Sequence, residues 1–116
     1  QLTDKPAKFF VSEIIREKIL RYYDKEVPYS VEVVVERFKE DEKKIHINAV
    51  IYVERTSQKG IIIGAHGALL RTVGARARAD VQVLLGTKVY LDLRVKTCRD
   101  WRNRANVLRA FGFHEE

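Results

Sequence analysis

The chain opens with a pattern typical of an amphipathic helix. Across residues 7–23, apolar side chains recur at spacings of three and four, the period of a helix with one buried face. The apolar positions are Val11, Ile14, Ile15, Ile19 and Tyr22. The charged residues between them, Glu13, Arg16, Glu17 and Lys18, are expected to face water. Pro28 then ends the pattern, because proline disfavours helical geometry at the preceding residue and has no backbone N–H to donate.

Two segments then alternate with the period of two that is typical of strands. They are "SVEVVVERF" (residues 30–38) and "KIHINAVIYVE" (residues 44–54). The charged run "KEDEKK" (residues 39–44) joins them and contains neither Asn-Gly nor Asp-Gly, the dipeptides of the tightest hairpins. We therefore predict an antiparallel hairpin with a loose, solvated loop.

The second half predicts a short helix, a long helix and a third strand. Thr56 or Ser57 is expected to cap the short helix, which ends at the break formed by residues 64–67. The long helix runs over residues 68–85, with an apolar stripe of Leu70, Val73, Ala77, Val81 and Leu84. A third strand is predicted over "KVYLDLRVK" (residues 88–96). A final helix that ends at Gly112 is predicted over "DWRNRANVLRAFGF" (residues 100–113).

This order of elements indicates an α+β fold, with helices packed on one face of a three-stranded sheet and one further C-terminal helix. A chain of 116 residues with 46% hydrophobic side chains suits a single domain spanning residues 1–116. No stretch approaches the roughly 18 to 20 apolar residues of a membrane span, so a soluble intracellular protein is expected. A single cysteine and three scattered histidines show no metal-ligand spacing.

Positive charge is concentrated in one part of the chain. Residues 55–104 contain eleven Lys or Arg against three Asp or Glu, a net charge of +8, whereas the segments before and after carry −1 each. A positive block in an otherwise balanced domain is typical of a protein that binds a phosphate backbone, and less often of one that binds a membrane surface or an acidic protein.

The stretch "KGIIIGAHGALLRTVGARAR" (residues 59–78) places a Gly-x-x-Gly turn inside this positive block. Glycine tolerates positive φ and lets another backbone approach closely. The amides at the start of the following helix have no helical partner, so with the helix dipole they form a seat for phosphate. Positive charge around the turn comes from Lys59, His66, Arg71, Arg76 and Arg78.

In this context the glycine turn resembles that of the KH family of single-stranded RNA and DNA binders, in its type II order of elements. The resemblance extends to the C-terminal domains of the Era GTPase family. It runs through "LTDKPAKFFVSEIIREKILRYYDKEVPYSVEV", "INAVIYVERTSQKGIIIGAHGALLRTVGARAR", "LLGTKVYLDLRVK" and "WRNRANVLRAFGF", which is nearly the whole chain.

The resemblance implies a target, the single-stranded 3′ end of 16S rRNA, and a role in assembling the small ribosomal subunit. Era-like proteins carry a GTPase domain ahead of this one, whereas this sequence has no G-x-x-x-x-G-K-[ST] loop. The resemblance therefore implies a noncatalytic, cofactor-free and monomeric module, with GTP and Mg²⁺ belonging to the absent domain. It also implies a cytoplasmic parent protein that can associate peripherally with the inner face of the cell membrane.

In this family the glycine turn clamps the sugar-phosphate backbone while bases lie across an apolar groove. The residues expected to bind RNA are therefore Lys59, Ile62, Ile63, Gly64, Ala65, His66, Gly67, Leu70, Arg71, Arg76 and Arg78. The apolar members, with the edge of the second strand, are groove candidates, although each also suits an ordinary core position. About half of the basic residues suit a simple solvated helix face.

The turn departs from the family in one respect, because Ala65 and His66 stand where a lysine or arginine is frequent between the glycines. Histidine is only partly protonated near neutral pH, so binding is expected to be tighter at pH 6 than at pH 8. Gly74, inside the long helix, predicts a close backbone approach, with packing on the sheet favoured over nucleic-acid contact.

Two other functions compete with RNA binding. A small nuclease would need acidic residues to hold Mg²⁺, but the basic block contains only Asp80, Asp92 and Asp100, with no paired-carboxylate motif. A basic protein- or membrane-interaction domain remains the other alternative, and salt-sensitive binding to liposomes without RNA affinity would favour it.

Overall fold

The computed structural model describes residues 4–23 and 31–99. Over these residues the chain forms three helices and three strands in the predicted order. The helices are α1 (Asp4–Tyr22), α2 (Thr56–Ile63) and α3 (Ala68–Leu85), and the strands are β1 (Val31–Glu40), β2 (Ile45–Val53) and β3 (Val89–Thr97). The helix predicted over residues 100–113, with Trp101 and Gly112, lies outside the described residues.

The middle strand of the sheet is β2, which pairs antiparallel with β1 and parallel with β3. A parallel pair needs a crossover connection, and α2 and α3 together supply it. Both edges of β2 are therefore occupied by neighbouring strands. The edge of the second strand, which the sequence offered as part of a groove, is not open to a ligand.

The loop between β1 and β2 is tighter than the loose loop that the sequence predicted. One oxygen of the Asp41 carboxylate accepts hydrogen bonds from the backbone N–H groups of Lys43 and Lys44, at 2.8 and 2.9 Å. The Asp41 N–H also donates to the Lys44 carbonyl at 2.9 Å. The hydrogen bonds from the backbone of Lys44 and Lys43, with that from His46, lower the pKa of Asp41 to about 2. An aspartate that bonds to the backbone of its own turn can thus tighten a loop that lacks the Asn-Gly or Asp-Gly of the tightest hairpins.

The core lies between the helices and one face of the sheet, as predicted. On β2 the buried face is Ile45, Ile47, Ala49, Ile51 and Val53. Val11, Ile15 and Ile19 of α1 and Val73, Ala77 and Val81 of α3 pack against it. Helix α1 contacts β1 and α3, and α3 contacts β3. The core thus holds α3, and with it the turn that precedes α3, in a fixed place on the sheet.

Lys18 lies in the contact between α1 and α3 and not in water, which corrects the sequence prediction. Its residue surface is only 6% exposed. The Lys18 ammonium nitrogen lies 2.5 Å from a carboxylate oxygen of Asp80 on α3 and 2.9 Å from one of Glu17. These hydrogen bonds, that of Asp80 foremost, raise the pKa of Lys18. A buried ammonium is tolerated because carboxylates replace the water that it loses.

Two predictions at helix ends are also wrong. The N-cap residue of α2 is Arg55, and neither Thr56 nor Ser57 caps the helix. Instead, the Gln58 side chain reaches back and accepts hydrogen bonds from the N–H groups of Glu54 and Arg55, at 3.1 and 2.9 Å. At the end of α3, Leu84 is 42% exposed, and the neighbouring Leu85 packs against the core instead.

Gly74 lies where α3 packs on β3, but the close approach to its backbone that the sequence predicted is absent among the described residues. A Cβ at this position would lie 3.6 Å from Cδ1 of Leu93, an ordinary van der Waals distance. Because glycine inside a helix is about 0.8 to 1 kcal/mol less favourable than alanine, we expect Gly74→Ala to raise the free energy of unfolding by about 0.5 to 1 kcal/mol in urea denaturation. Gly60→Ala on α2 is the control, since its Cβ would meet nothing within 4 Å. A loss of stability in Gly74→Ala alone would show that Leu93 needs the glycine.

Candidate nucleic-acid interface

A sharp reversal joins α2 to α3 at the two glycines. After α2 ends at Ile63, Gly64 has φ 76° and ψ 176°, and one 3-10 turn follows at Ala65–Gly67. His66 (φ 55°) and Gly67 (φ 75°) both lie in the left-handed region, which glycine adopts readily and histidine more often than most other side chains. The residues of the predicted break thus form the tip between the two helices. We call residues 64–67 the glycine turn.

Both glycines are favoured by their backbone angles, and Gly64 is also required by a close neighbour. A Cβ at Gly64 would lie 2.9 Å from both Cβ and Cγ of Leu69, closer than such atoms pack. A Cβ at Gly67 would lie 3.1 Å from the Nη1 atom of Arg71. The missing side chains therefore allow α3 to start directly against the end of α2 and leave room for the Arg71 guanidinium.

The glycine turn presents two amides without a partner. The Gly64 N–H donates to the Gly60 carbonyl at 2.9 Å, and the Gly67 N–H donates to the Gly64 carbonyl at 3.1 Å. Within residues 4–23 and 31–99, no group accepts a hydrogen bond from the N–H of Ala65 or His66, and both residues are exposed. N–H groups without a partner at the positive end of a helix dipole are suited to a phosphate group.

Arg71 is bonded directly to the glycine turn. Its Nη1 atom donates to the His66 carbonyl at 2.8 Å, while the side chain stays exposed. A guanidinium has several further N–H donors in a planar array that matches phosphate oxygens. Arg71 therefore braces the turn and places a permanent positive charge beside the two free amides.

The other predicted cations are divided between two sides of α3. Arg78 follows Arg71 by seven residues, so the helical period places both on the same side. Arg76 precedes Asp80 by four residues, and Asp80 pairs with Lys18 of α1, so Arg76 lies toward α1. Lys59 is half-buried on α2. Arg71 and Arg78 thus lie on one side of α3, about two helical turns apart, and Arg76 lies on another side.

The apolar residues beside the glycine turn are divided between core and surface. Ile62 is completely buried, which fits the core alternative and not a groove wall, while Ile63 and Leu70 are half-buried against the core. Two residues that the sequence reasoning missed are more exposed, Ile61 at 50% and Leu69 at 37%. The sequence contained an indication of the exposed Ile61. Consecutive helical residues point about 100° apart, so one buried face cannot hold all three isoleucines of residues 61–63.

The sequence predicts tighter RNA binding at pH 6 than at pH 8, and His66 lies exposed in the glycine turn. One added surface charge near phosphate is worth roughly a twofold to fivefold change in affinity. We expect the RNA dissociation constant to be lower at pH 6 by about this factor, measured by fluorescence anisotropy, and the difference to vanish in His66→Ala. His46→Gln is the control, since His46 pairs with Asp41 on the hairpin. A pH dependence that persists in His66→Ala would assign the titrating group elsewhere.

The face of the sheet that points away from the helices carries a cavity of about 380 Å³, and the glycine turn does not line it. Its polar groups bond to one another, because the Asp92 carboxylate accepts hydrogen bonds from Asn48 at 3.2 Å and from Arg94 at 3.0 Å. In the described part of the chain, no group of three or more His, Cys, Asp or Glu residues is placed to hold a metal ion. No helix there has the length and apolar character needed to cross a membrane.

Comparison with known proteins agrees with this geometry. Residues 26–102 match the family described as the KH domain. Two solved Era structures each match 97% of this chain, with 38% sequence identity and a TM-score of 0.84. One is Era in complex with MgGDPNP and nucleotides 1506–1542 of 16S ribosomal RNA, and the other is an Aquifex aeolicus Era variant bound to GDP and AlF4−. The chain spans 38% of the length of those Era chains. The chain belongs to the KH domain family and is a KH domain of the Era type.

Proposed function

We propose that this chain binds single-stranded RNA and that the glycine turn holds its sugar-phosphate backbone. The observation that carries the proposal is the pair of unbonded N–H groups at the exposed residues Ala65 and His66, beside the Arg71 guanidinium. KH domains use a turn of this kind to clamp about four nucleotides. The chain needs no catalytic group for this role, because it supplies hydrogen-bond donors and positive charge alone.

The two sides of the site have different tasks in this proposal. A phosphate accepts the hydrogen bonds of the two free amides, while Arg71 and Arg78 neutralise phosphates along one side of α3. Exposed apolar surface at Ile61 and Leu69, with half-buried Leu70, offers contact to base faces. Since α3 directs Arg76 toward α1, Arg76 contributes only long-range charge.

We propose the 3′ end of 16S rRNA as the target and assembly of the small ribosomal subunit as the process. Support comes from the similar Era protein whose structure contains nucleotides 1506–1542 of 16S ribosomal RNA. Because the chain matches 38% of the Era chains, we further propose that it acts together with a GTPase domain in a longer protein. GTP and Mg²⁺ would then belong to that domain.

The test is fluorescence anisotropy with a labelled ten-nucleotide RNA that copies the 3′ end of small-subunit rRNA. We expect this RNA to bind more tightly than a scrambled RNA of the same composition. Four phosphate contacts on a single strand predict a slope of roughly −2.8 for log K against log salt. Equal, weak binding of both RNAs would reject the rRNA target, and binding to anionic liposomes without RNA affinity would reject RNA binding altogether.

A further inference from the structure

A carbonyl in the last turn of α2 is capped from a distant part of the chain. The final carbonyls of a helix have no helical N–H partner. In α2, the Gly60 carbonyl accepts the Gly64 N–H. The Ile62 carbonyl accepts the hydroxyl of Tyr23, which follows the end of α1 and lies 39 residues earlier. Tyr23 thus acts as a side-chain cap for a helix to which it does not belong.

This cap lies in a partly buried environment. The Ile62 side chain is completely buried, and the Tyr23 side chain is half-buried against the core. Burial raises the pKa of Tyr23 to about 12, so the hydroxyl keeps its proton and remains a donor throughout the pH range of RNA binding. Without it, a carbonyl in this position would lose its partner where water has restricted access, which is unfavourable.

The capped carbonyl is close in sequence to the free amides. Ile63 alone separates Ile62 from Gly64, whose φ of 76° starts the glycine turn. On the other side of the turn, Arg71 holds the His66 carbonyl. The turn is therefore held at both ends, by Tyr23 before Gly64 and by Arg71 after Gly67.

We infer that Tyr23 is a positioning residue for RNA binding, one that fixes the end of α2 so that the Ala65 and His66 amides are in place before RNA arrives. The inference rests on the proposed function. Its physical basis is preorganisation, since ordering the turn during binding would use part of the interaction energy. Tyr23 itself does not contact the RNA.

Tyr23→Phe tests the inference, because it keeps the ring and removes only the hydroxyl. We expect the dissociation constant of the ten-nucleotide RNA to rise about threefold to tenfold, the effect of losing one uncharged hydrogen bond. Amide hydrogen exchange should become faster at Gly64 and Gly67, whose N–H groups donate to the carbonyls of Gly60 and Gly64. Affinity is measured well below the melting temperature, with the folded fraction checked by circular dichroism.

Tyr52→Phe is the matched control. It also removes a tyrosine hydroxyl from a hydrogen bond, to Glu36 of β1 at 3.0 Å, but it leaves α2 untouched. Equal RNA affinity of Tyr23→Phe and the unmodified chain would overturn the inference, and so would an equal loss in Tyr52→Phe. Failure of the unmodified chain to bind RNA would instead overturn the proposed function, and the inference with it.

Discussion

Replacing Ala65 and His66 together with aspartate is expected to abolish RNA binding while the domain stays folded. The two carboxylates would lie where the free amides and Arg71 are proposed to bind phosphate. Two unit charges about 4 Å apart repel by roughly 1 kcal/mol in water and about 4 kcal/mol near a protein surface. We therefore expect the dissociation constant to rise at least about 100-fold, measured by anisotropy with the ten-nucleotide RNA. Both positions are exposed, so circular dichroism should remain unchanged.

The matched control places the same charge elsewhere on the basic half of the domain. Ala79→Asp with Val83→Asp adds two carboxylates at exposed positions of α3, three helical turns or more beyond the glycine turn. We expect only a small, salt-sensitive loss of affinity from this variant, because it changes net charge but not the seat for phosphate. If both double variants weaken binding equally, RNA is held by overall charge and the glycine turn is only a structural connection.

Replacing Gly64 with alanine is expected to damage both stability and binding. The backbone angles of Gly64 lie in a region that is essentially restricted to glycine, and holding another residue there takes about 1 to 3 kcal/mol. The added Cβ would also lie 2.9 Å from Leu69. We expect the free energy of unfolding to fall by about 1 to 3 kcal/mol. RNA affinity should fall about tenfold or more, because the start of α3 must shift to relieve the contact.

Gly86→Ala separates the two causes. Gly86, after the end of α3, also has positive φ (69°), but a Cβ there would meet nothing within 4 Å. Its replacement should lower stability by about 1 kcal/mol and leave RNA affinity unchanged. Should Gly64→Ala behave like Gly86→Ala in both assays, the fit between Gly64 and Leu69 has no role in binding. Urea denaturation and anisotropy on the three proteins provide the comparison.

Several features of the site were accessible from local sequence patterns alone. Apolar residues recur every two positions in a strand and every three to four in a helix, because one side of the element is buried. This pattern predicted α1 to α3 and β1 to β3 in their observed order. The glycine turn was equally local, because positive φ and close backbone approach favour glycine regardless of distant contacts. Net charge by segment indicated the basic half, since charge needs no fold to be counted.

Other features depended on contacts between distant elements. The local pattern of α1 predicts that Lys18 faces water. Lys18 is instead buried, because its ammonium group pairs with the Asp80 carboxylate on another helix. Ile61 and Ile62 are the same residue type in adjacent positions, yet Ile62 is buried and Ile61 is exposed. The elements that pack against α2 cover only Ile62. Asp41 shows the same limit within a loop, since its own backbone bonds tighten a hairpin that lacks glycine.

The sequence by itself determined the elements, their order, the glycine turn and the basic half, because each depends on the intrinsic preferences or spacing of nearby residues. Only the tertiary structure decided that Arg71 holds the His66 carbonyl, that Arg76 lies toward α1, and that Tyr23 caps the Ile62 carbonyl. Such contacts require two helices to be placed to within a hydrogen-bond length, and packing of the whole core sets that placement.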